Sequence, residues 1–304
     1  MSSTASSTNY TIIAPISILF STLAIVISCF VLLLVSSTKQ LYTVRHLLTC
    51  NTCLASIFYC IVQCNNYIYL LFIQWNTSNE SCRWRGYFGY VSMAAVIYSY
   101  LLQSIARLFV TFYSMKYRWI ISFKIHVPLI FIGWIIVFIV PLPAVITKDI
   151  SFRVGFLCWV PRQFLLHAIY TVIMYYLIPI LIIIFIYVLI YIRVHSFVAN
   201  NAIVQDQRGR SNRELEVLRK IVILFSIYIL GPLPLILYML TNVELFYSIG
   251  IVSISFAVMV EKLVSLLIDR DIRNAAMRFF GYRTNQVLPI AINIITPGKK
   301  NSQS

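Results

Sequence analysis

The 304-residue sequence is short of charge, and of negative charge above all. Charged side chains make up 11% of it, and only nine are Asp or Glu. A water-soluble chain of this length cannot keep so little charged surface, so a soluble globular domain is excluded. Histidine is equally scarce. His46, His126, His167 and His195 are widely separated and mostly near the ends of apolar runs, which argues against an imidazole-based active site. Cys50 and Cys53 form a CxxC, but no second pair or histidine cluster completes a metal site. With Cys29, Cys60 and Cys64 they fall inside apolar runs, where a thiol packs as a small side chain. Cys82 and Cys158 alone fall in outer segments, where oxidation is possible. No internal repeat is visible, which weakens a transporter reading. The residues before the first apolar run hold no basic stretch and no small-residue cleavage site, so that run is expected to stay as a signal-anchor. No enzyme activity, cofactor or metal is expected.

What the sequence does have is apolar length: 60% apolar residues and a mean hydropathy of +0.86. The runs predict an all-α membrane protein, a seven-transmembrane helix bundle with helices over about 12–35, 47–73, 84–110, 125–147, 166–192, 213–240 and 245–268. The sign of the charge fixes the orientation. Of the 24 Lys and Arg, only Arg83, Arg85, Lys148, Arg153 and Arg162 fall outside; all others lie in inner loops, inner helix ends or the tail. By the positive-inside rule the N-terminus is outside and the C-terminus inside. The net charge of +15 is then explained by topology and anionic headgroups, and nucleic acid is set aside as a partner.

Residues 1–11 are expected to form an extracellular N-terminus, 12–280 the helical domain and 281–304 a loose cytoplasmic tail. Sequons occur at Asn76 and Asn79 in the first outer loop, and at Asn9 close to the first helix; all lie on the outer side. Pro179 inside the fifth helix and Pro232 and Pro234 in the sixth are sites for bending. After the seventh helix, Ile272, Ala276, Phe279 and Phe280 alternate with bases, as an interfacial helix requires. Glu261 and Lys262 lie well inside the seventh helix. A charge at mid-membrane costs roughly 2.5–3.5 kcal/mol on the insertion scale, so both should face the bundle or snorkel.

The organising stretch runs from Cys82 to Arg107. Its 25 steps rise about 37 Å as a helix, against a hydrocarbon core of about 30 Å. With Trp134 in the fourth helix, and Pro179 and Tyr187 in the fifth, this order and spacing resemble the rhodopsin-like G-protein-coupled receptors over nearly the whole chain. The resemblance implies a Cys82–Cys158 disulfide pinning the second outer loop over the bundle. It also implies an activation switch at Arg107, partnered by Glu214 (or Glu216) at the foot of the sixth helix, with Tyr187 in the active-state network. The expected partners are an extracellular ligand, a heterotrimeric G protein and the lipid bilayer.

The departures point to a divergent orphan member. Ala106-Arg107-Leu108 stands where an acid, the arginine and an aromatic are usual, and Ser56 stands where the second helix usually has an acid. The sixth helix lacks the tryptophan before its proline, and Glu261-Lys262-Leu263-Val264-Ser265 replaces Asn-Pro-x-x-Tyr. Gly89 stands where amine receptors carry an aspartate, which disfavours a monoamine. Lys262 lies at a shallower level than the retinal lysine of opsins, and the third helix has no carboxylate counter-ion. The outer bases against Glu80, Asp149 and Glu244 fit a peptide or an anionic small molecule. A channel subunit or transporter is the alternative reading.

Overall fold

The computed structural model describes residues 10–72, 78–113, 122–153, 156–161, 163–200, 222–224, 226–227 and 229–281. The regular secondary structure among these residues is helical, with no strand. The first span is α1 (Tyr10–Ser37) and the second α2 (Val44–Phe72). The third is α3 (Asn79–Tyr113), and the fourth is α4 (Phe123–Ile139) continued by the short α5 (Leu142–Ile146). The fifth runs as α6 (Leu165–Val172), a π-helical turn (Ile173–Leu177) and α7 (Ile178–Asn200). The sixth is helical at 222–224, 226–227 and 229–230, turns at Gly231–Pro232 and continues as α8 (Leu233–Thr241). The seventh is α9 (Glu244–Ile268), and α10 (Arg270–Phe279) follows along the inner face. Six of these spans are long and apolar enough to cross a membrane as described. The sixth in chain order is only partly described.

Each span shows why its sequence suits its place. Along α1 the buried positions as far as Ser28 are Ala14, Ser17, Ser21, Ala24 and Ser28, a stripe of small residues on one helix face, and the larger Val31, Leu34 and Val35 are buried beyond it toward the inner end. Small side chains let backbones approach closely where lipid offers no hydrophobic drive for association. α2 turns a polar face inward, burying Asn51, Thr52, Ser56, Gln63 and Asn66. Trp134 of α4 donates its indole N–H to Asn51 Oδ1 at 3.0 Å, tying the fourth span to the second. α3 is the central helix: Val91, Ala94 and Ile97 are fully enclosed.

Two expectations shift. α3 begins at Asn79 rather than near 84, so Cys82 sits in its first turn. The fifth span extends to Asn200, beyond the apolar run that marked its end near 192. Its bend also takes a particular form. Pro179 has no N–H to give the carbonyl four residues back, that of Tyr175, and the backbone widens there into a π turn. Within that turn the Met174 carbonyl accepts from the Tyr98 hydroxyl of α3 at 3.3 Å, and the Tyr176 hydroxyl donates to the Ile229 carbonyl at 2.7 Å. In the sixth span, Pro232 caps α8 and Pro234 lies in its first turn, where a missing N–H breaks no helical bond.

The second outer loop lies on the bundle rather than away from it. Cys82 and Cys158 form a disulfide with their Cα atoms 5.3 Å apart. One turn further along α3, a Cβ on Gly86 would stand 2.2 Å from the Cys158 carbonyl oxygen and 2.7 Å from Ile150 Cγ2. Only glycine lets the loop backbone come so near. At Gly89, on the same helix, the nearest atoms to such a Cβ are 3.7 and 4.0 Å away. Gly86→Ala should therefore lower the thermal stability of the purified protein by about 1–3 kcal/mol, the usual cost of overpacking. Gly89→Ala should not lower it. Equal melting temperatures for the two variants would refute the close approach.

Candidate functional site

Functional side chains collect at the two ends of α3. At the outer end the loop 156–160 is held at further points besides the disulfide. The Leu157 N–H donates to the Tyr247 hydroxyl of α9 at 2.8 Å, and the Val160 N–H to the Tyr90 hydroxyl of α3 at 2.9 Å. The Phe152 N–H donates to Asn79 Oδ1 at 3.2 Å. Leu157, Cys158, Trp159 and Val160 are all buried. Tyr247 is a hub: its ring lies 5.2 Å from Phe156, 5.0 Å from Tyr238 and 6.1 Å from Trp159. Beneath this lid is a cavity of about 210 Å³ between the loop and the fifth, sixth and seventh spans. Trp159, Val160, Ala168, Val172, Leu235 and Tyr247 are among its walls.

At the inner end, Arg107 lines a smaller cavity of about 60 Å³ together with Arg45, Gln103, Glu261, Lys262 and Asp269. Lys262 is 2% exposed and Glu261 4%, so both charges face the bundle. They pair with each other at 3.0 Å. Lys262 Nζ also donates to the Thr52 carbonyl at 3.4 Å, and Thr52 Oγ1 accepts from Gln103 Nε2 at 2.5 Å. A polar chain thus runs from the seventh span through the second to the third. Ser56, standing where an acid was expected, is fully buried one turn outward of Thr52. The carboxylate inside the inner half of the bundle comes from the seventh span instead, as Glu261.

Arg45, at the start of α2, forms a second tie. Its guanidinium meets Asp269 at 2.7 Å and Asp271 at 3.8 Å. Asp269 Oδ1 in turn accepts from the Asp271 N–H and caps α10. His46 comes within 4.8 Å of the same two carboxylates, a grouping that sequence spacing did not reveal. Arg45 already supplies their cation.

The structure brings Arg107 together with Glu261, Lys262 and Asp269 around one cavity. Tyr187 is buried in the main core of the bundle. Asn79 is exposed at the first turn of α3. Glu214, Glu216, Asn76 and Arg162 lie outside the described residues. Sequence reasoning missed Arg45, Asp269, Tyr90 and Tyr247. An arginine and an acid at the inner ends of two spans were a usable signal for the first pair; nothing marked the two tyrosines among 20.

Residues 28–261 match the family model of the 7 transmembrane receptor, rhodopsin family. The chain belongs to that family. It is a multi-pass plasma-membrane receptor of the type that signals through G proteins, not an enzyme, and the channel alternative falls away. Among curated proteins none matches this receptor.

The ion pair inside the receptor's seventh span yields a test. Removing one partner of a buried pair leaves an uncompensated charge and costs about 3–5 kcal/mol, whereas replacing both with apolar residues is often neutral. Glu261→Gln should lower the unfolding temperature in detergent sharply, and Glu261→Leu combined with Lys262→Met should recover most of the loss. An unshifted single variant would show that the two charges are not held against each other.

Proposed function

We propose that this receptor binds an extracellular ligand in the cavity under the second outer loop and activates a heterotrimeric G protein at the cleft around Arg107. The observation that carries the reading is that α3 joins the two. Its outer end is fixed to the lid by Cys82, Gly86 and Tyr90, and its inner end supplies Gln103 and Arg107 to the charged cavity. A ligand acts by binding one arrangement of the bundle more tightly than the other. The sixth span is the element to move: Gly231 and Pro232 interrupt its helix, and its outer half borders the ligand cavity. Outward displacement of its inner half opens the cleft to the G protein.

In this reading Glu214 holds Arg107 in the resting state, and Tyr187 joins the network that replaces that contact. Asn76 and Asn79 carry glycans, residues 1–11 are extracellular and 281–304 form the cytoplasmic tail. The ligand is a peptide or small molecule other than a monoamine, because Gly89 leaves the third span without a carboxylate at that level.

The test is guanine-nucleotide exchange on purified G protein by the reconstituted receptor. Glu214→Ala should raise basal exchange several-fold, and Arg107→Ala should abolish it. Unchanged exchange in both variants, with wild-type amounts of folded receptor, would overturn the proposal for this switch.

A further inference from the structure

We infer that the outer cavity takes a single-chain amphiphile with an anionic head, and that the ligand enters from the bilayer between the fifth and sixth spans. This rests on the receptor reading of the same cavity and names the chemical class of its ligand.

The walls are apolar. Ala168, Val172 and Ile173 face Leu235, Ile236 and Met239 across the space, and Arg153 is the one charged side chain among the described lining residues. Apolar cavities of about 150 Å³ stay dry and take up benzene. This one, at about 210 Å³, has room for a run of methylenes. A peptide with several polar groups would leave them unpaired against such walls, which disfavours it there.

The side of the cavity gives the route. Leu165 and Leu240 line it, yet they are 61% and 69% exposed on the outer surface of the bundle. Ile169, which also lines it, is about half exposed. The partition toward lipid is therefore one side chain thick, and α8 packs chiefly on the seventh span rather than on α6. On the water side the loop is fixed by the disulfide, Tyr90 and Tyr247. The less restrained entrance opens to hydrocarbon.

Arg153 supplies the head-group contact. Its guanidinium carbon stands 4.7 Å from the centre of the Phe156 ring, and its Nε is buried without a hydrogen-bond partner among the described residues. No carboxylate among the described residues lies within ion-pair distance of it. A buried donor in a planar guanidinium suits a carboxylate or a phosphate monoester.

The experiment uses the full-length receptor in phosphatidylcholine nanodiscs with 9,10-dibromostearate, whose bromines quench tryptophan on contact. Trp159 lines the cavity, whereas Trp84 is exposed on the outer surface of α3. A saturable quenching component that Trp159→Phe removes is expected, above the unsaturable quenching of lipid-facing tryptophans. Arg153→Gln should weaken the saturable component at least tenfold, Arg153→Lys should retain most of it, and Ala168→Phe should abolish it by filling the cavity. The dibrominated alcohol should bind at least tenfold more weakly than the acid. Competition by oleate or by monooleoyl lysophosphatidate supports the proposal and tells a carboxylate from a phosphate head. Quenching that stays linear, or is equal for acid and alcohol, or is indifferent to Arg153, overturns it. Basal nucleotide exchange on the same preparation keeps the two readings apart: exchange without saturable quenching removes the ligand class and leaves the receptor standing.

Discussion

The approach of the second outer loop to the third span is the constraint on which the outer half of this receptor depends. A covalent bond brings the loop to α3 at Cys82, but the bond alone leaves the loop free to pivot. Gly86 removes the side chain that would hold the Cys158 carbonyl away. Tyr90 and Tyr247 then take the two loop N–H groups that would otherwise be buried without partners. Disulfide, glycine and tyrosine occupy successive turns of one helix face, with a contribution from the seventh span. The loop becomes a wall with its polar backbone satisfied, and the space below it stays apolar.

The inner half follows the opposite logic. Charge is scarce in the chain, yet several of its charges gather where the second, third and seventh spans meet. Glu261 and Lys262 neutralise each other inside the span, and Arg45 is neutralised by Asp269 at the start of α10. A low-dielectric setting makes each contact matter more than it would at a surface. The interfacial helix is thereby joined to the second span by charge and to the first by Phe30, whose ring lies 5.8 Å from Phe280.

The spans were legible in the sequence because hydropathy acts locally along the chain; the cost of a membrane charge left Glu261 and Lys262 the choice of facing the bundle or snorkelling, and the fold takes the first. The Cys82–Cys158 bond was legible through family resemblance. The loop's other anchors were not, since Tyr90 and Tyr247 differ from other tyrosines only in where the folded helices place them. Arg45 and Asp269 are 224 residues apart. Gly86 reads as an ordinary helical glycine until the loop above it is known. At Pro179 the sequence indicated a bend, and the physical outcome is a wide turn whose carbonyl a tyrosine from another helix takes up.

That turn sets a rotational phase. A π turn carries one residue more than an α turn, and each residue of an α-helix advances by about 100°. Every side chain of α6 is therefore turned, relative to α7, by about a quarter of the circumference from where an unbroken helix would put it. Ala168 and Val172 border the cavity while Ile183 and Tyr187 remain in the core under this offset. The outer wall of the fifth span and its inner packing face thus follow two separate helical registers. Substitutions can tune the ligand wall without disturbing the faces that the inner half needs, whereas the loss of a single residue between Ile173 and Leu177 would bring the two registers into one and turn a lipid-facing side of α6 toward the cavity.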